Sequence, residues 1–132
     1  MTNDERAELV NALVAKWLKR YNLLELQVTT RQVSKIQGSD LPVAGILHEL
    51  DYLRASLEYV KDIDKEDANH VICHEIAHLM LAPIGEWVIE ILPHVDSAVR
   101  DLQLSWWHKA QEQTTERIAR LMLAAESNEQ NE

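Results

Sequence analysis

The sequence predicts a single α+β domain, and three observations carry that prediction. Apolar residues recur at helical spacing over 4–20. Apolar and polar side chains alternate over 24–30 and again over 46–60. Two further helical stretches follow a charged loop at 61–67. The expected order is an N-terminal helix, a small sheet, a central helix and a long C-terminal helix. At 132 residues the chain is long enough to bury a core. Residues 1–126 are expected to form one domain and 127–132 a polar, frayed tail.

The first helix, over 4–20, places Leu9, Val10, Leu13, Val14, Trp17 and Leu18 on one face, with Asn3 or Asp4 as its cap. Leu24 to Thr30 alternates with period two and reads as a strand. Residues 31–42 scatter Val33, Ile36 and Leu41 among polar residues around Gly38-Ser39-Asp40 and Pro42, which predicts a mobile connection. Ile46 to Tyr52 and Ala55 to Val60 alternate again, which predicts two antiparallel strands turning near 53 and 54. A helical face through Ile46, Leu50, Leu53 and Leu57 competes with that assignment.

Asp64 or Asp67 is placed to cap the next helix, which is expected to end near Leu81-Ala82-Pro83 because proline restricts the residue before it. A short helix over 85–92 follows. Asp96 then caps a long helix reaching about Ala125. Its buried stripe is expected at Leu104, Trp107, Ile118, Leu121 and Ala125, flanked by His108, Glu112, Thr115, Ala119 and Met122. Of the adjacent Trp106 and Trp107, one is expected to pack in the core, and the pair offers a dimer contact.

Composition narrows the function. A net charge of -9 argues against nucleic acid as a partner, because phosphate neutralisation needs a basic footprint. It argues equally against docking on an anionic membrane. No run of uninterrupted apolar residues approaches the length of a membrane span. The N-terminus lacks the basic and apolar segments of a signal peptide, and Cys73 stands alone, so neither a disulfide nor a cysteine cluster can form within the chain. A cytoplasmic protein is the expectation.

One motif carries chemistry. His74-Glu75-Ile76-Ala77-His78 sets two histidines four residues apart. On a helix such residues share a face, with Cβ atoms about 6 Å apart, a separation that suits two imidazoles on one Zn²⁺. Glu75, about 100° round the helix, is set beside the metal, where it can take a proton from a zinc-activated water. A catalytic zinc needs a third protein ligand. The extension His-x-x-Gly-x-x-His fails, since Leu81 and Ile84 stand where glycine and histidine are required. The C-terminal helix offers Glu112 and Glu116 instead. Small residues Thr115 and Ala119 beside Glu112 permit close helix approach, whereas Arg120 and Arg117 offer Glu116 an exposed ion pair. Glu112 is therefore the expected ligand. Glu116 is the alternative, or the acceptor that orients a ligand histidine.

The ordered set of an alternating segment at Ala55–Val60, the His74-Glu75-x-x-His78 helix and a glutamate-bearing helix around Glu112 to Ala119 resembles a minimal gluzincin metallopeptidase, of the small kind encoded in phages and prophages. The resemblance covers roughly residues 17–122. It implies a three-stranded sheet, a zinc ion held by His74, His78 and Glu112, Glu75 as general base, and a peptide or unfolded-protein substrate paired along an edge strand, here Ala55–Val60. It implies no particular transition-state proton donor; Tyr52, Tyr59, His94 and His108 are the candidates. The expected function is zinc-dependent peptide hydrolysis. The alternative is a zinc-containing binding or regulatory domain with little peptidase activity. Oligomeric state stays open.

Overall fold

The computed structural model describes residues 1–36 and 42–130. Helix α1 spans Asn3–Arg20 and strand β1 spans Gln27–Val33. Strand β2, Ala44–Glu49, leads through a 3₁₀ turn at Leu50–Tyr52 into strand β3, Arg54–Val60. Helix α2 follows at Lys65–Ile91, and a second 3₁₀ turn at Leu92–His94 joins it to α3, Ser97–Gln130. The α+β class and the three-stranded sheet match the expectation. Residues 37–41, within the connection expected to be mobile, lie outside the described residues.

α1 starts one residue before the expected caps. Thr2 is the cap, its hydroxyl accepting from Glu5 N–H at 3.1 Å while the Glu5 carboxylate accepts from Thr2 N–H at 3.1 Å. β1 is shifted three residues C-terminal of the alternating segment, so it extends through Val33. Tyr21 to Leu26 instead make a turn, with Asn22 in the left-handed region at φ 58°.

The sheet order is β1-β3-β2, with β1 parallel to β3 and β2 antiparallel to it. The expected β2–β3 pairing is present, and its turn closes without glycine. Leu53 takes φ 53° and its N–H bonds to Leu50 C=O at 3.0 Å. One expectation is overturned: Ala55–Val60 is not an edge. β3 lies at the centre, hydrogen-bonded on both sides, and the edges are β1 and β2. Period-two alternation reports which face is buried and is blind to which neighbours a strand has. Ala55, Leu57 and Tyr59 of β3 point into the core, while Arg54 and Ser56 point to solvent.

The helices cover that inner face. Trp17 and Val10 of α1 join Leu57 and Tyr59 of β3 and Ile72 and Ile76 of α2 in one cluster, all of them fully or almost fully buried. Asp64 caps α2, its carboxylate accepting from Glu66 N–H at 3.0 Å. Contrary to expectation, α2 does not stop at Pro83 but runs on to Ile91, absorbing the separate short helix. Proline removes one helical donor, and tertiary packing outweighs that loss. Ala82 and Gly85 are buried on either side of it, and a Cβ at Gly85 would lie 3.4 Å from Trp107 Cζ2 of α3. α2 is also apolar enough, at mean hydropathy 1.4 over its best window, to suit a membrane crossing by length and composition alone. It packs instead against α1, β2 and α3 as the central helix.

α3 begins as expected at Asp96, whose carboxylate accepts from Ala98 N–H at 2.9 Å. Its buried face follows the expected apolar stripe only in part: Leu104, Trp107 and Ile118 are half-buried, but the fully buried positions lie elsewhere. Leu121 is 71 % exposed and Ala125 is also exposed, while Thr115, Ala119 and Glu126 are buried. α3 crosses α2 on its small residues, which admit the closest approach, and Cys73 Sγ donates to Ala119 C=O at 3.7 Å. Glu126 is drawn inward by Lys16 at 2.8 Å and by the Asn69 amide at 3.1 Å. Those contacts keep the last turns helical to Gln130, where a frayed tail from 127 was expected.

Candidate metal centre

His74 and His78 stand one turn apart on α2, their ring centroids 5.0 Å apart and their planes at 77°. α3 runs antiparallel across them and sets Glu112 against both. Glu112 Oε1 lies 3.0 Å from His78 Nε2, and Glu112 Oε2 lies 3.4 Å from His74 Nε2. One donor atom from each of the three residues falls within 4.8 Å of the others. Two donors held at about 2.0–2.1 Å from a tetrahedral zinc are themselves roughly 3.3–3.5 Å apart; the 3.4 Å from Glu112 to His74 is of that size, and the 3.0 Å to His78, made by the other carboxylate oxygen, is shorter.

The opposite ring nitrogens are held from α3. His74 Nδ1 is 3.0 Å from Glu116 Oε1, and His78 Nδ1 is 3.5 Å from Thr115 Oγ1. Glu116 also meets His70 Nε2 at 3.0 Å and Arg120 Nε at 2.9 Å. These contacts fix the tautomer. Glu116 is a carboxylate and only accepts, so His74 Nδ1 carries the proton. Nε2 is then the ring nitrogen that faces Glu112 and the cleft.

Ionisation follows the same arrangement. Burial opposes the charge on Glu116, but the hydrogen bonds from His70, Arg120 and His74 outweigh it and hold the carboxyl down at about 2. Glu75, on the adjoining face of α2, goes the other way. Burial, reinforced by the Glu112 carboxylate, pushes it up to about 8. Burial lowers His78, against the pull of Glu112, which favours the neutral ring a metal requires.

The centre opens into a cleft of about 810 Å³. One wall is α2 from Asp67 to His78, one is Glu112 and Glu116 of α3, and a third is Val43 with the first residue of β2, Ala44. Glu75 lines it with the two histidines. No family model, curated protein or solved structure matches the chain. The site therefore rests on its own geometry.

Every residue expected at the centre is brought to this cleft: His74, Glu75, His78, Glu112 and Glu116. The four candidate proton donors are not among its lining residues. Tyr59 is buried in the core, Tyr52 is exposed on the 3₁₀ turn, and His108 lines a separate depression between α2 and α3. His94 sits on the turn that joins those helices. Sequence reasoning missed His70, which lines the cleft and shares Glu116 with His74. Its signal was available: His70, His74 and His78 are spaced four and four, so all three fall on one helical face.

Proposed function

We propose that the protein is a zinc-dependent peptide hydrolase, with His74, His78 and Glu112 holding the metal and Glu75 acting as general base. The observation that carries this reading is the convergence of His74 Nε2, His78 Nε2 and the Glu112 carboxylate, whose donor atoms lie within 4.8 Å of one another. When bound, zinc supplies Lewis acidity that polarises the scissile carbonyl and acidifies water. The protein's own groups do the rest. Glu116 and Thr115 lock the two imidazoles in the orientation that presents both Nε2 atoms. Glu75 accepts the proton of the attacking water as the C–O bond forms, then delivers it to the amine as the C–N bond breaks. Glu75, held at about 8 by burial and by the Glu112 carboxylate, would ionise more readily beside a cation and so could accept a proton at neutral pH.

The substrate of this reading is an extended peptide or unfolded segment. β2 replaces β3 as the strand that would receive it, because β2 is an edge and its first residue, Ala44, lines the cleft. A reducing, cytoplasmic setting accords with the single unpaired cysteine, which is buried. The test is Glu75→Gln. Zinc content stays at the wild-type level while hydrolysis of an unstructured protein such as casein is abolished. Equal zinc-dependent function in wild type and Glu75→Gln would instead favour a metal-bearing binding domain.

A further inference from the structure

One face of α2 changes character halfway along the helix. Asn69, Cys73 and Ile76 occupy the half that α1 seals. Trp17 Nε1 donates to Asn69 Oδ1 at 3.0 Å, and Tyr21 Oη lies 3.2 Å from Cys73 Sγ, at the very end of α1. The same face continues in steps of three and four through Met80, Ile84, Trp87 and Ile91. These four lie beyond the end of α1, and all are exposed.

α3 carries a matching stripe. Val99, Leu102 and Trp106 repeat at three and four, and all are exposed. The two helices are antiparallel, with Asn69 meeting Glu126, His74 meeting Glu116 and Gly85 meeting Trp107 in turn. On each helix the exposed stripe lies roughly 110–130° from the Gly85–Trp107 contact, in the same rotational sense. In an antiparallel pair, equal rotations fall on one side. The two stripes therefore form a single apolar surface, the uncovered continuation of the seat that α1 fills.

We infer that this surface is the contact face of a homodimer, with a second copy taking the place that α1 is too short to reach. At their fractional exposures the seven side chains present roughly 800 Å² per copy, against about 800 Å² that each partner gives to a standard stable interface. The largest apolar patch of a typical monomer is only about 300–600 Å². None of the seven is charged. That matters in a chain of net charge -9, where copies repel unless the contact itself is neutral. A two-fold contact sets the patch against itself, and an uncharged apolar surface meets that condition. Trp87 and Trp106, each 62 % exposed, are its largest side chains and the expected anchors. The patch lies apart from the metal-bearing face of α2, so the dimer is independent of the proposed chemistry.

Sedimentation equilibrium on the full chain across a dilution series tests this. The expected result is a reversible transition between 15.2 kDa and twice that mass. Trp87→Glu and Trp106→Glu each weaken the dimer at least about 30-fold with unchanged far-UV circular dichroism. Leu24→Glu, an exposed apolar position outside the patch, leaves the dimer intact. Dilution of the wild type, which needs no variant, shifts tryptophan emission to the red over the same concentration range. The proposal is overturned by a monomer at every soluble concentration, or by a dimer indifferent to both tryptophan changes. A monomer that instead co-sediments with phosphatidylcholine vesicles overturns it as well.

Discussion

Glu75→Gln is expected to stabilise the metal-free protein as well as to stop hydrolysis. Glu75 is a carboxyl held at about 8 by burial and by the nearby Glu112 carboxylate, against an ordinary value of 4.5. A carboxyl raised in the folded state binds more protons there than in the unfolded chain. Its favourable contribution is complete below pH 4.5 and is lost as pH rises through 8. At pH 7 the unfolded chain has released the proton and the folded protein still holds it, which costs the fold about 3 kcal/mol at 1.36 kcal/mol per pH unit. Glutamine matches the neutral carboxyl in shape and carries no such penalty. Chemical denaturation of the metal-free proteins at pH 5, 7 and 9 measures the effect. Wild-type stability should fall across that series relative to Glu75→Gln, with a gap of about 3 kcal/mol at pH 7 that widens toward pH 9. A pH-independent gap would refute the reasoning, since the titration of Glu75 is its only source.

Three further outcomes follow from the geometry. Glu112→Ala should weaken zinc retention by more than 100-fold in a chelator competition, while Glu116→Ala, which reaches the proposed ligands only through the far nitrogen of His74, should cost about 10–100-fold. Glu126→Gln should lower stability by about 1–2 kcal/mol, because Lys16 and Arg20 lose a buried partner. Burial opposes the Glu126 charge, but hydrogen bonds from Lys16 and Asn69 hold its carboxyl below the usual range. Its contribution is therefore present above the ordinary value of 4.5 and lost as pH falls below it, and acid titration of the folded state should show that loss in wild type alone. Ala119→Leu should destabilise by about 1–3 kcal/mol in thermal unfolding, because Ala119 is fully buried where α3 crosses α2.

The candidate metal residues on α2 were legible because their spacing is local. His74, Glu75 and His78 lie within a single turn and a half, so helical spacing alone places them. Glu112 was harder, since nothing local ties it to α2. The small side chains at 115 and 119 pointed to it, by showing where two helices can approach. The same clue was not followed through to burial. Leu121 and Ala125 were expected inside on apolarity, yet the crossing selects for size and leaves them in solvent. Strand order was out of reach, because alternation marks a buried face and β3 keeps the same alternation whether central or at an edge. Pro83 misled for a related reason: its local penalty is real, and the packing of Ala82 and Gly85 that outweighs it is tertiary. Glu126 shows the limit most plainly. A glutamate near the end of a polar helix reads as solvated, and only the fold brings Lys16, Arg20 and Asn69 to it.

The central claim is that two histidines of α2 and one glutamate of α3 together hold a zinc ion. Elemental analysis after zinc reconstitution and desalting tests it most directly. The account predicts one zinc per chain in the wild type and in Glu75→Gln, and close to none in Glu112→Ala. A wild-type chain that retains no zinc, or a Glu112→Ala chain that retains it fully, would contradict the account.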